Sequence, residues 1–323
     1  MSANVYDLFH SRFQQGEDFI RQPDGSTLLS YQDLHERSGV YASFLTEAGL
    51  RKGDRVMVQV EKSAECLLLY FGCLRAGLIY LPLNTAYQQH EIEYFLANAE
   101  PAMVVCDPAS EHIMQQLTQS RIETLDSDGQ GSLPAAAAAS SAHFDPIACD
   151  SNDTAVILYT SGTTGQPKGA EITHGNLAAN GLALHQAWGW QPGDVMLHAL
   201  PIFHIHGLFV ATHLPVLNGS PIIFLQRFTS QEVIRCLPDA TVYMGVPTNY
   251  TRLLADPALD KTSCRNMRLF TSGSAPLLTQ IFEAFSERTG FNIVERYGMT
   301  ETGMNTSNPL AGPQKPGTVG PPL

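Results

Sequence analysis

The chain has 323 residues, 44% hydrophobic and 15% charged, with a formal net charge of −12. That size and balance suit a globular protein of two domains or one large α/β domain, and exclude disordered and fibrous classes. The acidic surplus argues against nucleic acid or an anionic membrane as the main partner, since both need basic patches, but leaves a nucleotide ligand open.

At the N-terminus, Met1-Ser2-Ala3-Asn4-Val5-Tyr6-Asp7 shows no basic segment followed by an apolar core, and no apolar run is long enough to span a bilayer. A bacterial-type cytoplasmic location is expected. Ser30-Tyr31-Gln32-Asp33 is a capping-box-like helix start, with Leu34, Val40, Tyr41, Phe44, Leu45 and Ala48 at helical spacing and Gly49 at the end. Gly53-Asp54 turns into a strand over 55–60. Ser63 caps an apolar helix through Cys73 and Leu74 that stops at Gly77, and a short strand over 78–81 ends at Pro82. A helix over 89–99 and a buried strand over 102–106 follow. Residues 132–141 are alanine-rich and then acidic through Asp153, which reads as a surface excursion without chemistry. The six cysteines are widely spaced with no CxxC, so buried free thiols are expected in place of zinc or thioredoxin-like chemistry.

The run Ala155-Val156-Ile157-Leu158 reads as a buried parallel strand. Tyr159-Thr160-Ser161-Gly162-Thr163-Thr164-Gly165-Gln166-Pro167-Lys168-Gly169 follows it, and Thr173 then caps a helix. Glycines that let backbone N–H groups approach an anion, hydroxyl donors and a lysine form a cradle for polyphosphate. It is not G-x-x-x-x-G-K-[ST], which leaves a P-loop ATPase as a weak alternative. Strands are predicted over 195–199, 221–225, 241–245, 268–271 and 292–294. The alternation gives an α/β protein with mostly parallel sheets and helices on their faces, one half over 1–150 and the other over 151–323, with the site at their carboxyl-end crevice. Residues 309–323 are Pro- and Gly-rich without a closing element, and read as a cut rather than a natural end.

Three further segments carry chemistry. Glu295-Arg296-Tyr297-Gly298-Met299-Thr300-Glu301-Thr302 follows a strand and offers an aromatic face, a hydroxyl and a hard oxygen ligand, or alternatively a plain polar loop. Thr271-Ser272-Gly273-Ser274-Ala275-Pro276 lets a flat ring approach the backbone, and reads equally as a tight turn with Pro276 at the first helical position. In Pro201-Ile202-Phe203-His204-Ile205-His206-Gly207 no further ligands complete a metal site, so His204 is a candidate pocket residue and His206 reads equally as a satisfied structural histidine.

Together these segments resemble the adenylate-forming acyl-CoA synthetase superfamily over essentially the whole chain, and most closely its malonyl-CoA synthetases. The closer likeness rests on Phe203-His204-Ile205-His206-Gly207-Leu208, on Met244 through Arg252, and on Glu295 through Asn308. The resemblance implies that family's large domain and a ligase that uses ATP, Mg²⁺ and coenzyme A. By it, Thr160, Ser161, Gly162, Thr163, Thr164, Gly165 and Lys168 hold the β- and γ-phosphates, and Thr300 the α-phosphate. Glu301 takes Mg²⁺, while Tyr297, Gly298, Met299, Gly273, Ser274 and Ala275 surround the adenine. Thr300, Glu301 and His204 stand nearest the chemistry. His204, Arg252, Ser272 and Arg296 form the acid site, with both arginines on the distal carboxylate of malonate. A planar, permanently charged guanidinium suits that task, though Arg252 also reads as the partner of Asp256 one helical turn on. Family members continue into a C-terminal domain carrying a catalytic lysine, so this chain is expected to be a truncated and nearly inactive form. Methylmalonate, another short acid, or nucleotide binding without catalysis are the alternatives. Partners are expected to be small molecules, with no nucleic acid and no membrane.

Overall fold

The computed structural model describes residues 2–13, 17–160 and 166–323. It parts into two compact units, Met1–Ser11 with Gln32–Leu177, and Arg12–Tyr31 with Ala178–Leu323. The division expected at residue 150 therefore falls inside the first unit.

The first unit is built on a six-stranded sheet in the order Arg121–Thr124, Met103–Cys106, Arg55–Gln59, Ile79–Pro82, Thr154–Thr160, Lys168–Thr173. The first five run parallel and the last antiparallel. Met103–Cys106 is buried at every position, as a parallel strand covered on both faces must be. Helix Ala64–Arg75 begins where the Ser63 hydroxyl accepts from the Cys66 amide, and the chain escapes after it through Gly77 at φ +63°. Helix Gln89–Ala99 lays Ile92, Phe95, Leu96 and Ala99 onto Met57, Leu81 and Val104 of the sheet.

Two expectations change here. The strand containing residues 155–158 is parallel to Ile79–Pro82 on one side only. On the other it forms a hairpin with Lys168–Thr173, so the chain passes through a second strand before the helix His174–Ala187. The helix start is as expected, with the Thr173 hydroxyl accepting from the Asn176 amide at 3.1 Å. The alanine-rich stretch is also less loose than expected. It contains the short helix Ser132–Ala137, with Leu133 and Ala137 buried, pinned to the edge strand by Ser132 N–H donating to Thr124 Oγ1 at 2.9 Å.

The second unit carries an eight-stranded sheet in the order Gly303–Ser307, Ile293–Met299, Leu269–Ser272, Val242–Gly245, Met196–His198, Ile222–Phe224, Asp18–Arg21, Thr27–Ser30. Its six inner strands are parallel and its two outer ones antiparallel. The strand expected over 292–294 runs on to Met299. Residues 296–299, expected as a loop, are therefore ladder residues paired with Gly303–Ser307. Tyr243, Tyr250, Phe270 and Phe285 form the aromatic centre of its core. All six cysteines are buried, as expected. No helix among the described residues is long and apolar enough to cross a membrane.

Candidate functional site

Two parallel strands of the second unit end level, with Gly245 beside Ser272, and Ser272 lies beside Glu295 of the longer third strand. Arg296 follows Glu295 and is only 3% exposed. Its guanidinium packs against Gly273, where a Cβ would stand 2.6 Å from Nη1 and nearer still to Cζ and Nε. Any side chain at this position would therefore run into the arginine. Nε and Nη2 have no hydrogen-bond partner among the described residues. Burial lowers the Arg296 pKa to about 10, partly offset by Tyr250, so the group stays charged at neutral pH. Burying a guanidinium with N–H groups unsatisfied costs free energy that a bound anion would recover.

Two more orphaned groups lie in the same unit. Ser272 Oγ is fully buried without a partner, and His206 is buried with both ring nitrogens unpaired among the described residues. Burial drives the His206 pKa well down, and the charge of Arg296 adds to that. The reading of His206 as a satisfied structural histidine is therefore overturned. His206 opens a π-helical turn, His206–Val210, an uncommon form that favours functional positions. The Gly207 carbonyl is fixed by the Thr212 hydroxyl at 2.9 Å and by His198 Nε2 at 2.9 Å. His204 is exposed, its ring 4.5 Å from that of Phe203, and partial desolvation holds its pKa down.

Around this core the turn after Ser272 is braced by Glu295, whose Oε1 accepts from the Leu277 amide at 2.9 Å. Burial raises the Glu295 pKa, with the Leu277 and Gly317 amides offsetting part of it. Ser274 sits at φ +69°, a left-handed conformation costly for a residue with a side chain. Such strain at a turn of small residues fits a binding role better than a simple tight turn.

Arg252 is exposed on helix Pro247–Ala255 with its guanidinium 4.8 Å over the Phe228 ring. No ion pair with Asp256 forms, and Asp256 instead accepts from the Ala258 amide at 3.0 Å. Tyr243 and Tyr250 pack edge to face in the core of the same unit, ring centroids 6.0 Å apart. Burial raises both hydroxyl pKa values, offset in part by Arg252 at Tyr243 and by Arg296 at Tyr250.

The nucleotide candidates divide between the units. Tyr297, Gly298 and Met299 close the long strand, and Thr300, Glu301 and Thr302 form the turn to Gly303. Tyr297 is 47% exposed and its hydroxyl donates to Met299 Sδ at 3.4 Å. Asn180 fixes the hairpin from below, donating to the Met304 carbonyl at 3.0 Å and accepting from its amide at 3.1 Å. In the first unit Thr160 pairs with Lys168 across the hairpin, and Lys168 is exposed. That hairpin is tied to helix Gln89–Ala99 by Tyr159 hydroxyl to Asn98 at 2.6 Å and Tyr94 hydroxyl to the Pro167 carbonyl at 2.7 Å. Ser161, Gly162, Thr163, Thr164 and Gly165 lie outside the described residues.

The profile of the AMP-binding enzyme family matches residues 10–323. The chain belongs to that family. ATP-bound MatB from Rhodopseudomonas palustris is 47% identical with a TM-score of 0.96, over all of this chain and 65% of its own. A malonyl-CoA ligase solved as a ternary product complex with methylmalonyl-CoA and AMP is 33% identical with a TM-score of 0.81, over 98% of this chain and 65% of its own. The mitochondrial malonate–CoA ligase of Mus musculus is 33% identical over 322 residues, 91% of this chain and 54% of that protein. This AMP-binding family chain thus spans about half the length of the curated relatives it matches, and its two sheets have the acyl-CoA synthetase-like fold that the motifs implied.

Proposed function

We propose that the protein activates malonate with ATP and passes the malonyl group to coenzyme A. The observation that carries this reading is Arg296, a buried guanidinium with Nε and Nη2 unpaired beside the equally unpaired Ser272 and His206. A short dicarboxylate reacts through one carboxylate and needs a fixed cation for the other, whereas a fatty or aryl acid needs an apolar wall where Arg296 stands. Sequence similarity to malonate–CoA ligases supports the same choice.

In the reaction, a carboxylate oxygen attacks the α-phosphorus of ATP, the bond to the β-phosphate oxygen breaks, and pyrophosphate leaves. The thiol sulfur of coenzyme A then attacks the carbonyl carbon and AMP leaves with the electrons of the C–O bond. The protein's part is to position reactants and balance charge. Arg296, Ser272, His206 and Arg252 would hold malonate, with His204 toward the reacting carboxylate. Tyr297 and the Gly273-Ser274-Ala275 turn would take adenine, Thr300 the α-phosphate, and the hydroxyls and Lys168 of the hairpin loop the β- and γ-phosphates. Glu301 is exposed at its turn, with no hydrogen bond or ion pair among the described residues. It suits a hard cation held jointly with substrate phosphates, and Mg²⁺ bound there would neutralise phosphate charge. The two units would act as the two halves of one adenylating domain. The expected cytoplasmic location and small-molecule partners belong to the same proposal, although the mouse relative is mitochondrial.

Competition binding with an acid panel in the presence of ATP tests the reading. Malonate and methylmalonate should bind well ahead of acetate, octanoate and benzoate. Preference for octanoate or benzoate would contradict it.

A further inference from the structure

Tyr243 and Tyr250 are both fully buried in the aromatic core beneath the acid site, yet they are satisfied unequally. The Tyr250 hydroxyl donates to the Thr271 carbonyl at 2.6 Å. The Tyr243 hydroxyl has no partner among the described residues. A buried phenol normally finds one, and leaving it without costs free energy.

Its position shows what it faces. Tyr243 and Gly245 project from the same face of strand Val242–Gly245, because side chains alternate along a strand. A Cβ on Gly245 would stand 3.3 Å from the Tyr243 hydroxyl and 3.2 Å from the Tyr250 ring. The hydroxyl therefore reaches the strand end, where Gly245 is in register with Ser272, and the two rings pack so closely on the glycine that no side chain would fit there without a shift. The charge of Arg252 acts on it and opposes the effect of burial on its acidity.

We propose that Tyr243 is a specificity-determining residue of the acid site, its hydroxyl donating to the carboxylate that does not react, alongside Arg252. The inference rests on the malonate reading and deepens it. One carboxylate oxygen accepts from the phenol while the guanidinium supplies charge, and a monocarboxylate offers nothing at that position.

The test is equilibrium binding of malonate, propionate and ATP to the unaltered chain and to Tyr243→Phe, with Arg296→Ala as a reference. Tyr243→Phe keeps the ring and should fold with an unchanged or slightly higher melting temperature. Malonate affinity should fall about tenfold or more, the loss expected for a hydrogen bond to a charged group. Propionate and ATP affinities should not change. Combining Tyr243→Phe with Arg252→Ala should cost less than the two changes added, since both serve one carboxylate. Unchanged malonate affinity in Tyr243→Phe, with binding lost in Arg296→Ala, overturns the role of Tyr243 and leaves the malonate reading intact. An equal drop for malonate and propionate assigns the residue to packing alone. Failure of the unaltered chain to bind malonate overturns both.

Discussion

The hairpin loop of the first unit and the buried arginine site of the second prepare for negative charge in opposite ways. The loop gathers hydroxyls, glycines and an exposed Lys168 within a few residues of sequence. The arginine site draws on Gly245, Ser272, Arg296 and His206 from separate elements, and keeps its donors buried and unpaired. A solvent-facing cation suits a triphosphate that arrives hydrated and leaves as pyrophosphate. A desolvated one discriminates, because an acid without a second charge leaves it unpaired.

The two should respond to damage differently. Gly273→Val would push a side chain into the Arg296 guanidinium. Malonate affinity should drop by about a hundredfold and stability by about 1–3 kcal/mol, measured by titration and by denaturant unfolding. ATP affinity should suffer as well if the turn carries adenine, and its survival would remove the turn from the nucleotide site.

Lys168→Ala should weaken ATP by about tenfold at low salt and leave malonate untouched. Because Lys168 is exposed, the penalty should shrink as ionic strength rises, whereas that of Gly273→Val should not. A salt-independent Lys168 effect would break the contrast.

Acid should reach the second unit first. His206 and His213 are buried there with pKa values pushed down mainly by burial, His213 to about 3, while the first unit has His174 at about 4 and only smaller downward shifts at the partly buried His10 and His35. Each is neutral when folded and titrates near 6.5 when unfolded, so its contribution is intact above that pH. It is lost as pH falls toward the folded value, by up to about 1.4 kcal/mol per pH unit for each histidine. Hydrogen exchange between pH 7 and 4 should show protection failing earlier in residues 178–323.

Arg252→Ala should have the smallest effect on the fold, about 0.5 kcal/mol, since it removes only an exposed stack on Phe228. Its malonate affinity should still fall severalfold.

The contrast also marks what sequence could disclose. Local patterns carried the helices at Ser63 and Gln89, the buried strands and the loop, because caps, periodicity and glycine are near-neighbour signals. Strands Asp18–Arg21 and Thr27–Ser30 gave no such signal: the first pairs with residues some two hundred positions away. The edge strands Arg121–Thr124 and Gly303–Ser307 are polar and short, which reads as loop. The loop residues and both arginines were legible as residue types. The demand Arg296 makes on Gly273, the π-turn at His206 and the unpaired Tyr243 hydroxyl all arise from packing between distant segments, so no spacing in the chain announced them.

The most direct measurement is calorimetric titration of malonate into the unaltered chain and into Arg296→Ala, with ATP affinity as the control for folding. Binding should fall at least a hundredfold in the variant while ATP binding persists. Equal malonate affinity in the two would show that the buried guanidinium is not the acid's anchor.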